Sequence, residues 1–344
     1  VLPGYQKVDD DELRGAFEEA WGTTLPAEPG LTVVEMMHAA EKGDVRAMYI
    51  MGENPALSDP NANRARAAMD NLDFLVVQDI FLSETAEHAD VVLPAVCFAE
   101  KDGTFTNTER RIQRLHRAVD PPGEARQDWR ILCDVAGRLG CPMSYDGPAA
   151  IQDEVAALTP IYGGITYDRL EHGTLQWPCR TADDPGTPFL HQGEFARGLG
   201  KFHPTLFREP AELPDETYPL ILSTGRLLYH FHTGTLSRRS EGLEQICPPG
   251  NIEIHPEDAA GMGLANGQPV RVTSRRGHIE ARAFVTPRVR PGMVFMPFHF
   301  RESPANVLTN DALDEIAKIP ELKVCAVRVD KLERRSRRRK KARG

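Results

Sequence analysis

The hydrophobic period of the chain changes once along its length, and that change constrains the fold more than any other feature. From about residue 31 to 140, helical and strand-like stretches alternate; from Tyr218 onward the period is two. In the first stretch, LTVVEMMHAAEKG sets Val33, Val34, Met37 and Ala40 on one helical face, with Gly43 at its end. A short strand over 47–51 leads into the turn Gly52-Glu53-Asn54-Pro55. A helix is expected from near Pro60, with Asp59 as N-cap and Pro60 in the first position, where a missing N–H costs nothing. LDFLVVQ (72–78) is almost continuously apolar, as befits a strand covered on both faces of a parallel sheet. Ser83 suits the cap of a helix running to Ala89, 91–94 reads as another strand, and Asp128 suits the cap of a helix over 129–139 closed by Gly140. Such alternation specifies an α/β layer domain.

After residue 140 the rhythm breaks into Pro, Gly and isolated aromatics (YGGITYDRL, LQWPCR, DDPGTP), which read as a long connecting segment. YPLILS, NIEIH, PVRVTS, HIEARAFV and GMVFMPF then follow as short strands, with a hairpin at Arg275-Arg276-Gly277 and one short helix over 256–262. Strands at this spacing predict a closed barrel, which removes exposed edges. The expected organisation is an α/β domain over 1–150, a connecting segment over 151–217, a β-barrel over 218–332 and a basic disordered tail over 333–344.

Composition narrows the classes further. At 344 residues the chain is long enough for two or three domains and a sizeable core, and 41% hydrophobic with 26% charged residues is ordinary for a soluble globular protein. No apolar run approaches the ~18 to 20 residues of a membrane span, so membrane insertion is not expected. The net charge is −9, yet 334–343 (RRSRRRKKAR) holds eight Lys or Arg and no acid, so removing those eight leaves the rest at −17. A body that acidic repels a phosphate backbone, so nucleic acid is not expected as a partner, and only the tail offers an electrostatic route to one. The six cysteines (Cys97, Cys133, Cys141, Cys179, Cys247 and Cys325) include no CxxC, so this stretch alone is not expected to build an iron–sulfur or zinc cluster. Scattered thiols of this kind fit a reducing, cytoplasmic setting better than a disulfide framework. The chain opens at Val1 with no initiator Met and no charged n-region, which reads as a piece of a longer chain whose targeting signals are not legible.

There is no GxSxG, HExxH or GxxxxGKS, hence no self-contained catalytic constellation. Instead, strand ends carry Gly, Asn, Asp, Lys and Thr, which suit a phosphorylated ligand held beyond the carboxyl ends of parallel strands. Gly52 to Pro55 reads either as a turn with a helix cap or as a loop whose amides meet an anion. Asp79 reads either as a helix-dipole partner or as an acceptor for the N1–H and N2–H edge of guanine. Lys101 is a solvated turn lysine or a phosphate ligand, and Asp128 an N-cap or a nucleotide contact. Thr224-Gly225-Arg226 ends a strand where hydroxyls, amides and a guanidinium converge, fit to cradle a pyrophosphate. His230 and His232, two apart, would point the same way on a strand; no third metal ligand is evident, which favours packing or hydrogen bonding to a ligand.

Five runs in this order carry a resemblance: MGENPALSDP (51–60), VVQDIFLSETAEHADVVLPA (76–95), EKDGTFTNTERRIQ (100–113), TGRLLYHFHTGTLSRRS (224–240) and KVCAVRV (323–329). Together they resemble the molybdopterin oxidoreductases that hold a bis-molybdopterin guanine dinucleotide, and most closely the C-terminal half of a formate dehydrogenase alpha subunit. The resemblance implies a double-psi barrel and a cofactor with molybdenum or tungsten. The metal's Cys or selenocysteine ligand and a four-iron four-sulfur cluster would lie in an N-terminal part absent here, so this piece alone is expected to be inactive. It implies that Asn54, Gln78, Asp79, Lys101 and Asp128 hold one dinucleotide, and that Thr224, Gly225, Arg226, His230, His232, Thr233, Phe298, Asn306 and Lys323 hold the other. No catalytic residue and no metal ligand is carried over. Formate is the implied substrate, oxidised to carbon dioxide, with iron–sulfur or flavin partner subunits as electron acceptors, such as one that reduces NAD. Assimilatory nitrate reductase is the nearest competing enzyme; a non-catalytic relay like the large iron–sulfur subunit of respiratory complex I is the competing class. LQWPCR and the histidines after TGR resemble formate dehydrogenase more than either.

Overall fold

The computed structural model describes residues 1–332 except 196, 248 and 249; the basic tail over 333–344 lies outside the described residues. The chain forms two compact units, one from Val1–Leu31, Gln78–Phe81 and Leu93–Leu206, the other from Thr32–Val77, Leu82–Val92 and Phe207 onward.

Helix α1 (Asp11–Trp21) starts at Asp10, whose Oδ1 accepts from the N–H groups of Glu12 and Leu13, and stops at Gly22 in the left-handed region. Helix α2 (Val33–Lys42) is opened by a Thr32/Glu35 capping box and turns Val34, Met37 and Ala40 inward. Val33, expected on that face, is exposed, since the inward stripe begins one residue later. Strand β1 (Ala47–Met51) leads to α3 (Pro55–Ser58), then α4 (Ala62–Asp70). The helix expected from Pro60 therefore starts at Ala62 after Asn61, and Asp59 ends α3 rather than capping α4. Pro55 has already taken the first-turn position, with its absent N–H, in the earlier helix.

Strands β2 (Phe74–Asp79) and β3 (Val91–Pro94) complete a three-stranded parallel sheet in the order β1-β2-β3. Only a 3-10 turn, Ala86–His88, fills the stretch where a helix from Ser83 was expected. Met37, Ala40, Ala56, Ala68, Met69 and Leu75 form the core beneath this layer.

In the first unit, β4 (Gly103–Thr106) and β5 (Arg111–Leu115) form an antiparallel hairpin, followed by α5 (Asp128–Arg138). The stretch read as connecting carries α6 (Pro148–Leu158), α7 (Tyr167–Glu171) and β6 (Leu175–Gln176), which pairs with β5. These pack Ile112, Ile165, Leu170 and Cys179 into a small separate core.

In the second unit the period-two stretch closes as a six-stranded barrel. Its strands are β7 (Leu220–Gly225), β8 (Asn251–Ile254), β9 (Pro269–Thr273), β10 (His278–Val285), β11 (Met293–Pro297) and β12 (Cys325–Lys331), in the order β10-β8-β11-β7-β12-β9. Two parallel pairs, β7 with β11 and β8 with β10, sit among antiparallel neighbours, as a double-psi arrangement requires. Alternate side chains such as Leu220, Leu222, Val270, Val272, Val327 and Val329 fill the interior, so the barrel is packed. Gly277 in the β9–β10 hairpin is closely packed: a Cβ there would lie 2.8 Å from Asn63 Nδ2 and 2.9 Å from Val307 Cγ1, so one or both would have to shift.

Candidate functional site

In the first unit, three of the singled-out side chains meet. Gln78, at the carboxyl end of β2 and 1% exposed, donates through Nε2 to Asp128 Oδ1 at 2.8 Å. The other Asp128 oxygen forms an ion pair with Lys101. Asp128 is the first residue of α5, not its cap, because its carboxylate is held by Gln78 and Lys101 rather than turned back onto the helix N–H groups. It still places negative charge in the helix's first turn, where the dipole favours it. Lys101 is accordingly no solvated turn lysine: its side chain is only 27% exposed. Asp79 accepts from the N–H groups of Ile80 and Phe81 through Oδ1, at 2.6 and 3.3 Å, and so shapes the turn that leaves the strand.

In the second unit, Asn54 sits where β1 passes through Gly52, at φ +63°, into α3. Its Nδ2 donates to Glu84 Oε2 at 2.8 Å and to Thr235 Oγ1 at 3.3 Å, while its Oδ1 accepts from the Thr85 N–H and hydroxyl. That uses all four of the amide's hydrogen-bonding capacities on protein groups. Asn306 similarly donates to the carbonyls of Leu57 and Ser58 at 3.0 and 2.9 Å, tying α3 to the barrel, and its buried Oδ1 finds no partner among the described residues.

At the ends of β7 and β11, Thr224 Oγ1 donates to the Leu322 carbonyl and Lys323 Nζ to the Thr224 carbonyl, at 2.7 and 2.8 Å. Lys323 and Arg226 both lie over the Phe298 ring, at 5.7 Å. Burial, then the Arg226 charge, holds the Lys323 ammonium below the usual lysine range. Gly225 is set by packing, since a Cβ would lie 2.6 Å from the Phe295 ring. His230 and His232 lie on a loop, not the expected strand. His230 is buried against Ser237 Oγ (3.3 Å) and the Cys247 carbonyl (3.2 Å), whereas His232 is exposed beside Arg226, its Nδ1 3.2 Å from the guanidinium. Among the described residues, no three His, Cys, Asp or Glu side chains converge to hold a metal.

Thr233, one of the singled-out residues, faces a cavity. Of about 180 Å³, this cavity is lined by Leu57, Glu84, Thr233, Thr235, Arg239 and Arg301 together with Gly234, Arg238, His299 and Glu302. Arg238 is offset by Glu244 and Glu302, and Arg301 by Glu84 at 3.1 Å. Hydroxyls and guanidiniums converging on one concavity suit an anion with several oxygens.

Sequence reasoning missed His299, which is fully buried and holds the backbone of the 226–234 loop. Its Nε2 accepts from the Leu227 N–H at 2.8 Å and its Nδ1 faces the His232 carbonyl. Burial, above all other causes, holds its pKa below the usual histidine range. The signal was present in PFHF directly after β11, where a histidine interrupts an aromatic run. Thr235, Glu84 and Arg301 were missed as well, and only tertiary contacts bring them together.

Comparison with known proteins agrees with this fold. The family profile for molybdopterin oxidoreductases matches residues 11–138, and that for the molybdopterin dinucleotide binding domain matches 220–326. The F420-dependent formate dehydrogenase subunit alpha of Methanocaldococcus jannaschii is 52% identical over 96% of this chain and 50% of its own length. That of Methanococcus maripaludis (dehydrogenase 1) is 47% identical, with 96% and 49% covered, and a probable oxidoreductase of Bacillus subtilis is 44% identical, with 96% and 34% covered. The chain thus spans about half the length, or less, of the curated relatives it matches. Among solved structures, acetylene hydratase from Pelobacter acetylenicus shares the fold at a TM-score of 0.67 and 18% identity, over 96% of this chain and 51% of that one. With both domain profiles matched in order on an α/β layer and a double-psi barrel, the chain belongs to the molybdopterin oxidoreductase family.

Proposed function

We propose that the complete protein is a molybdenum- or tungsten-dependent formate dehydrogenase alpha subunit, and that this chain holds the dinucleotide arms of a bis-molybdopterin guanine dinucleotide. The observation that carries the reading is 52% identity over 96% of the chain to a formate dehydrogenase alpha subunit. The reaction takes formate to carbon dioxide, one proton and two electrons, and the electrons leave through an iron–sulfur relay to partner subunits. When bound, the pterin-held metal supplies that redox chemistry, and the protein supplies position and electrostatics.

The donor set fits such a cofactor. A guanine needs acceptors for N1–H and N2–H, and a pyrophosphate needs hydroxyl, N–H and cationic donors. Asp79 and Asp128 offer the acceptors, with Lys101 as a cation and Gln78 fixing the Asp128 carboxylate. Thr233, Thr235, Arg239 and Arg301 offer hydroxyls and guanidiniums around one cavity. Asn54, Thr224, Asn306 and Lys323 serve these groups indirectly, since their polar atoms brace the backbone that carries them. The domain plan of 1–150, 151–217 and 218–332 and a cytoplasmic setting belong to the same reading.

The test is Asp79→Ala in the full-length enzyme purified without oxygen. The expected result is reduced guanine nucleotide content with a parallel loss of formate-dependent dye reduction. Unchanged nucleotide content removes Asp79 from the site, and a wild-type enzyme that ignores formate yet reduces nitrate overturns the substrate.

A further inference from the structure

We propose that His299 is the positioning residue of the 226–234 loop: a neutral imidazole that closes the neck of the loop through both ring nitrogens and releases it when protonated. The inference rests on the reading above in one respect, that this loop serves the dinucleotide.

The polarity of the two partners fixes the tautomer. A backbone N–H only donates, so His299 Nε2, 2.8 Å from the Leu227 nitrogen, carries a lone pair. A carbonyl only accepts, so Nδ1, against the His232 carbonyl, carries the proton. One ring thereby joins residues 227 and 232 and closes the base of the loop between them. Protonation at Nε2 would set two N–H groups against each other and leave the half-buried Leu227 amide without this partner. The surroundings oppose the added charge. Arg226 and Arg238 face the ring, the His230 ring lies 5.6 Å away, and Phe298 and Phe300 flank it at 5.1 and 5.9 Å. Glu244 and Glu302 are engaged by Arg238, and Glu84 by Arg301.

His230 is not an equivalent latch. Its Nδ1 partner is the Ser237 hydroxyl, which rotates to accept as readily as it donates, so protonation of His230 costs no hydrogen bond. Beyond the neck Leu228 and Phe231 are 92% and 67% exposed, while the buried His230 packs 5.5 Å from the Phe300 ring, so the neck is one of two holds on the loop. Below the neck, Gly234 at φ +75° leaves no room for a Cβ, which would lie 2.6 Å from Arg238 Cδ and 2.9 Å from the His299 carbonyl, before the chain passes on to Thr235 and the cavity.

The experiment is hydrogen exchange on the full-length holoenzyme, following the Leu227 amide from about pH 8 to about pH 5 with correction for the intrinsic rate, alongside guanine nucleotide content. Protection of Leu227 is expected to fall about tenfold across that range, with a midpoint below the ordinary histidine value, while the barrel strands stay protected. His299→Asn, which keeps a donor toward the His232 carbonyl but loses the Nε2 acceptor, is expected to show low and pH-independent protection at Leu227. His299→Gln, which restores an acceptor, is expected to recover part of it. Leu227 protection that does not change with pH in the wild type overturns the proposal, and needs no variant to fold. The two readings fail separately: a holoenzyme rich in guanine nucleotide with a pH-blind loop sinks only the latch, and a pH-sensitive loop without guanine nucleotide sinks only the cofactor assignment.

Discussion

The 226–234 loop and the Gln78–Lys101–Asp128 trio use polar side chains in opposite ways. Around the loop three of the singled-out side chains are turned onto backbone: Thr224 on Leu322, Lys323 on Thr224, Asn306 on Leu57 and Ser58. In the trio the side chains hold one another, and Lys101 and Asp128 remain 27% and 28% exposed. The first arrangement builds a rigid rim from buried hydrogen bonds; the second presents charge that can be exchanged with a ligand. Substitutions at the rim therefore strike stability first, and substitutions in the trio strike ligand retention first.

The largest effect is expected for Asn306→Ala. It strands one buried and one half-buried carbonyl and opens a void, which costs about 2–4 kcal/mol, read as a lower urea midpoint of the second unit. A change under about 0.5 kcal/mol would place Asn306 with the exchangeable groups.

Asp59 comes next. Burial pushes its carboxyl up to about 6, its Oδ2 has no partner among the described residues, and nearby Glu53 adds to the shift. A folded-state pKa raised above the unfolded value gives stability that is complete below about pH 4 and is lost as pH rises through about 6. Several other carboxyls, Asp311 and Glu302 among them, are held low and act in the opposite sense. The difference between wild type and Asp59→Asn isolates the contribution. The variant should gain on the order of 2–3 kcal/mol over wild type between about pH 4 and pH 7.5. A constant difference would mean that Asp59 titrates normally.

Gly225→Ala should cost about 1–3 kcal/mol by overpacking against Phe295, and Phe295→Leu should relieve part of that in the double variant. If the two effects simply add, Gly225 is glycine for a ligand's sake rather than for the ring. The smallest stability effect, within about 1 kcal/mol, is expected for Lys101→Ala, although guanine nucleotide retention should fall. A large stability loss there would erase the distinction between the two regions.

Much of this was legible in the sequence. Five of the six barrel strands, the hairpin at Arg275-Arg276 and the parallel sheet follow from the hydrophobic period, because burial on one face or both leaves a direct record in the residue pattern; the sixth, Cys325–Lys331, was not read as a strand. Boundaries set by competition between equivalent signals were not. Pro55 and Pro60 both offer a helix start, and the chain uses the first, with Asp59 ending that helix and the next beginning at Ala62. Strands β4, β5 and β6 are short and partly exposed, with too little apolar alternation to stand out from the turns around them. His299 was hidden for another reason: its partners at 227 and 232 lie about seventy residues earlier, and nothing local marks a histidine as a brace.

That this chain grips the guanine ends of a paired pterin cofactor is tested most directly by counting guanine nucleotide released by acid from the purified full-length enzyme. Two GMP per polypeptide are expected, falling when Lys101 or Asp79 is replaced. An active enzyme that releases none, or whose GMP content is indifferent to both substitutions, contradicts it.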